Sequence, residues 1–66
     1  MKYLRRYRDR NEWEEISRKE AVEKLGRYYD QAESIVRELE NGVIPLISTP
    51  WAMFRAEEEG EYESAN

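Results

Sequence analysis

No cysteine and no histidine occur among the 66 residues of this chain. Neither a disulfide nor a zinc ion held by thiolate or imidazole can staple it, so whatever it folds into rests on its hydrophobic core. A chain this short buries only about 60% of the surface its unfolded form exposes. The expectation is one domain of marginal stability. Self-association or docking on something larger is the remaining route to added stability, and a homodimer is among the expected states. The same omission removes the usual general base and thiol nucleophile. Ser34, Ser48 and Ser64 have no imidazole to activate them, and no glycine-rich phosphate loop is present. A binding protein is expected rather than an enzyme, with no cofactor and no metal.

Charge divides the chain unevenly. Five basic residues against Asp9 give residues 1–10 a formal +4, while six basic against fourteen acidic residues give residues 11–66 a formal −8. An acidic chain is repelled at long range by duplex nucleic acid and by anionic membrane, though a local basic strand can still grip one phosphate-bearing ligand. The basic start has no apolar run behind it, so it does not read as a signal peptide, and no segment has the length of a membrane span. With cysteine absent, a reducing cytoplasm is the expected location.

Residues 2–8 alternate, with Tyr3, Arg5 and Tyr7 on one side and Leu4, Arg6 and Arg8 on the other, which predicts a strand. Residues 9–11 suit a turn, and residues 12–16 return as a second strand bearing Trp13 and Ile16, so that a basic strand lies beside an acidic one. A single strand with an irregular approach to the helix is the alternative. Ser17 with Glu20 fits a capping box and starts a helix carrying Ala21, Val22, Leu25 and Tyr29, which Gly26 interrupts or closes. Asp30 with Glu33 repeats the pattern ahead of Ala32, Ile35, Val36 and Leu39. Asn41 and Gly42 then suit a left-handed cap.

Beyond Gly42, Val43, Ile44, Leu46 and Ile47 favour a strand that Pro45 confines to an edge or bulge. Ser48, Thr49 and Pro50 break it, and residues 51–56 alternate as a last strand expected to pair with the first. These elements predict an α+β domain over residues 1–57 of order β-β-α-α-β-β, two helices packing on one face of a small antiparallel sheet. Its expected core is Leu4, Ile16, Val22, Leu25, Ile35, Val36, Leu39, Ile44, Leu46 and Phe54. Residues 58–66 are acidic, with no aliphatic residue larger than alanine, and read as a disordered tail.

Three binding surfaces emerge. Trp51 and Arg55, with Tyr3 and Tyr7, suit a protein partner, since tryptophan and arginine dominate interface hot spots. Arg5, Arg6, Tyr7 and Arg8 suit a nucleotide, through stacking on tyrosine and arginine forks on phosphate. Glu12, Glu14 and Glu15 suit an acidic mimic of nucleic acid that blocks a basic channel. Each has a plainer reading, in which the rings cover the core and the charges are solvated. The leading expectation is a small protein that inhibits or adapts a larger one. Length, acidity and the lack of thiol or metal chemistry resemble small phage or plasmid proteins of that type, without a motif to match.

Overall fold

The structure is a computed structural model that describes residues 1–58. Its elements run β1 (Lys2–Tyr7), β2 (Glu14–Ile16), α1 (Arg18–Leu25), α2 (Ala32–Glu40), β3 (Ile47–Ser48) and β4 (Ala52–Glu57). The strands form one antiparallel sheet in the order β2-β1-β4-β3. The architecture is therefore the α+β order that the sequence predicts. The tail expected over residues 58–66 lies, apart from Glu58, outside the described residues.

The amino-terminal hairpin forms in a register that sets Tyr3 opposite Ile16, Leu4 opposite Glu15 and Arg5 opposite Glu14. Basic and acidic strands thus lie side by side, and Arg5 donates through Nε to Glu14 at 3.0 Å. On its other flank β1 pairs along its whole length with β4, from Lys2 opposite Glu57 to Tyr7 opposite Ala52. Alternation then decides what faces the helices: Tyr3, Ile16, Ala52 and Phe54 contribute to the core, together with Ala21, Leu25, Ala32 and Val36. Burial of Leu25, Val36 and Phe54 stabilises the fold by roughly 1.5–3 kcal/mol each.

Helix α1 starts as its capping box requires, the Ser17 hydroxyl accepting from the Glu20 amide at 3.0 Å. Gly26 closes it. A Cβ at Gly26 would come within 3.1 Å of the Val22 carbonyl oxygen and 3.9 Å of Ala32 Cβ, so glycine lets the chain turn tightly into the next helix. Helix α2 ends in a Schellman motif: Gly42 has φ +74°, its amide donates to Leu39 O at 3.3 Å, and the Val43 amide donates to Glu38 O at 2.9 Å.

Three expectations need correction. Asp30 does not cap α2. The flanking residue is Gln31, without a side-chain capping bond, and Asp30 lies exposed in the preceding turn. Glu33, the supposed partner of that box, is drawn instead to Arg18 at 2.7 Å. Residues 43–46 are not strand, because the amides of Val43 and Ile44 are spent closing α2 and Pro45 has none to give. That leaves Leu46 38% exposed and Ile44 only half-buried, outside the core they were expected to join. Leu4 is buried, at 8% exposure, but on the sheet face turned away from the helices.

Candidate functional site

The two ends of the sheet are built differently. At the Tyr3 end, charges satisfy one another. Tyr3 donates its hydroxyl to the Glu40 carboxylate, and Arg18 donates Nε to the same carboxylate at 2.6 Å while its other arm reaches Glu33. The Arg18 guanidinium, and then the Tyr3 hydroxyl, hold the Glu40 carboxyl below its usual range. Burial, and then Glu40, push the Tyr3 phenol above its own. This lattice ties β1 to both helices and engages the Tyr3 hydroxyl within the molecule.

At the Tyr7 end the chain reverses from β3 into β4 through residues 49–52, and Thr49 organises the reversal. Only 4% exposed, Thr49 accepts at Oγ1 from the amides of Ala52 (3.0 Å) and Trp51 (3.3 Å), and its own amide donates to Ala52 O at 2.8 Å. Arg8 closes the turn from β1, donating its amide to Trp51 O and its Nε to Thr49 O, each at 3.0 Å. The Trp51 side chain projects from this fixed backbone with 68% of its surface in solvent. Beside it lies a groove of about 210 Å³, rimmed by Tyr7, Tyr28 and Trp51 and floored by Phe54, into which Arg5, Lys24 and Arg27 bring three positive charges. Tyr7 and Trp51 also border a second depression, of about 540 Å³, formed with Arg8, Asp9 and Pro50.

Of the residues expected to bind a protein, the fold brings Trp51 and Tyr7 together and sends Arg55 elsewhere. Arg55 lies opposite Leu4 on the sheet face away from the helices, its guanidinium 4.6 Å from the Trp13 ring centroid. Arg6 approaches the same ring at 5.6 Å. Leu4, buried on this same face, lies between Glu15 and Arg55 in the sheet. The basic set expected to hold a nucleotide is likewise divided. Arg5 faces α1 and is engaged by Glu14 and Glu20; burial opposes its charge, but these carboxylates outweigh it and hold its pKa above the usual value. Arg6 is on the opposite face, and Arg8 is used by the turn. Glu12 and Glu14 border one depression, together with Arg10, but Glu14 is paired with Arg5, and Glu15, its neighbour in β2, points to the opposite face. Among the described residues no group of three or more carboxylates could hold a metal ion, and no helix is long and apolar enough to cross a membrane.

Sequence reasoning missed Lys24, Arg27 and Tyr28 as groove residues and Thr49 as the pin. A signal existed for the pin: threonine followed by proline is a favoured opening of a turn. For the other three the only sign was their place around Gly26, where the helix stops. Comparison with protein-family models, with curated proteins and with solved structures finds no match to this chain.

Proposed function

We propose that this chain is a non-enzymatic binding protein that inhibits or adapts a larger protein, with Trp51 as its anchor. The observation that carries this reading is an indole 68% exposed on a turn whose backbone is already fixed by Thr49 and Arg8. With Tyr7 and Tyr28 exposed on the same groove, the indole is part of a contiguous aromatic patch, and such patches mark interaction sites where a single exposed apolar residue does not. A rigidly held ring binds without the ordering cost that a mobile loop incurs, and tyrosines and arginines around a tryptophan are the composition of interface hot spots. A cytoplasmic setting fits a chain with no cysteine.

The nucleotide reading draws less support. Pockets that enclose small ligands run to about 300–1,000 Å³, whereas the groove where the cations converge holds about 210 Å³, and in the larger depression of about 540 Å³ beside it the one cation, Arg8, shares the lining with Asp9. Of the basic residues that reading needs, only Arg5 lines the groove, and it is already ion-paired. The acidic-mimic reading lacks a continuous anionic face. The test is capture from cells of the source organism with the full chain as bait, followed by calorimetry on the partner recovered. Trp51→Ala is expected to cost about 2 kcal/mol or more of binding energy, as a hot spot does, with the melting temperature unchanged. Undiminished affinity would refute Trp51 as the anchor, and a melting shift with a nucleotide panel would favour the ligand reading.

A further inference from the structure

We infer that the partner presents an acidic segment to the Tyr7 end of the sheet, a carboxylate lying against Lys24 and Arg27 while an apolar neighbour covers Trp51; this rests on the docking reading above. The chain carries a net charge of −4, yet no carboxylate lines the groove, and of its three cations Arg5 is paired with Glu14 and Glu20 while Lys24 and Arg27 are not. Arg18 takes Glu33 and Glu40, Arg37 reaches towards Glu33, and Arg5 is engaged by Glu14 and Glu20, whereas Arg6 and Arg8 rest on backbone carbonyls. Lys24 and Arg27 have neither kind of partner and stand beside exposed rings. Neither side chain makes an ion pair or hydrogen bond among the described residues, although Glu23 and Asp30 stand close to them in sequence. The dipole of α1 accounts for cations near its carboxyl end. It does not account for the three aromatic rings that frame them. Rings and unpaired cations side by side complement a strand or helix that alternates acidic and apolar residues, because charge across an interface selects partner and register while the buried ring supplies affinity.

A displayed random dodecapeptide library, selected on the immobilised full chain, tests this. Trp51→Ala and the double variant Lys24→Glu with Arg27→Glu serve as parallel baits, each first checked for an unchanged melting curve. If the double reversal disturbs folding, Lys24→Gln with Arg27→Gln replaces it. The expected result is enrichment of peptides with Asp and Glu around an aromatic or aliphatic residue. These should bind the double variant at least about tenfold more weakly than the wild type and weaken further with added salt. Peptides that need Trp51 but carry no excess of carboxylates overturn the acidic segment and leave the docking reading in place. Peptides indifferent to Trp51, or no binders at all, overturn both. Displacement of the selected peptides by oligo-dT also overturns the inference, since the groove would then serve single-stranded nucleic acid.

Discussion

The two tryptophans of this chain occupy opposite circumstances. Trp13 is half-buried with Arg6 and Arg55 against its ring, on the sheet face away from the helices. Trp51 stands 68% exposed at a turn, with Lys24 and Arg27 nearby and unpaired. In one place ring and arginine complete each other within the molecule. In the other the same chemistry is left open. The contrast teaches that an aromatic residue beside arginine is not in itself a binding signature: what separates the two sites is whether the cations already have a ring or a carboxylate to rest on.

The comparison breaks most readily at Trp13. Trp13→Ala removes a half-buried indole and its two cation–π contacts, and should cost about 2 kcal/mol of stability. Trp51→Ala should stay within about 0.5 kcal/mol of the wild type, as exposed positions do. Chemical denaturation of the two variants side by side checks this, and equal losses would mean that the tip is part of the core. In the Trp51→Phe variant the remaining fluorescence should resist acrylamide quenching far better than in Trp13→Phe.

The Tyr3 end extends the contrast, since its charges are satisfied internally. Glu40→Ala strips the Tyr3 hydroxyl and Arg18 of their shared acceptor, and a loss of about 1–2 kcal/mol is expected in denaturant melts. The helix starts give a smaller difference. Ser17→Ala removes an observed cap and should cost about 1 kcal/mol, whereas Asp30→Ala removes none and should be neutral to about 0.5 kcal/mol. Thermal melts of the pair suffice, and a large effect at Asp30 would contradict the observed start of α2.

The smallest effect is the dependence on pH. Glu40 titrates below its usual range in the folded chain, so the unfolded chain takes up its proton first as acid is added. Its contribution is present above the unfolded value near 4.5 and is lost as pH falls through the lower folded value. Tyr3 is the mirror case: its folded pKa lies above 10.0, so its contribution is complete below that pH and is lost as pH rises through the folded value. Glu40→Gln should flatten the acid limb of a stability profile and Tyr3→Phe the alkaline one.

Much of the fold was legible because its signals are local. Alternation in β1 and β4, the Ser17 box and the Asn41–Gly42 closure each depend on a few adjacent residues, and each stands where the sequence places it. The Asp30 box failed because Glu33 has a stronger attachment in Arg18, a residue on another helix. The core alanines, Ala21, Ala32 and Ala52, went partly unread, since small side chains mark close approach between elements rather than a hydrophobic stripe. At the site, Trp51 and Tyr7 were legible as aromatic residues but not as neighbours. Their meeting depends on the β1–β4 register, and separating them from Arg55 depends on which side of the pleat each residue takes.

The strand order has a further consequence, for crowding. With β2 and β3 outermost, both borders of the sheet lack a further strand among the described residues, and natural proteins discourage strand addition at such borders with charge, brevity or proline. Here β2 carries Glu14 and Glu15 over its three residues, and β3 is two residues long with Pro45 just before it. Copies meeting border to border would bring the Glu15 carboxylates together at β2 and find almost no ladder to extend at β3. Polymerisation through the sheet is thereby opposed at both borders, and a small chain can hold an indole in water at high concentration without zipping into fibres.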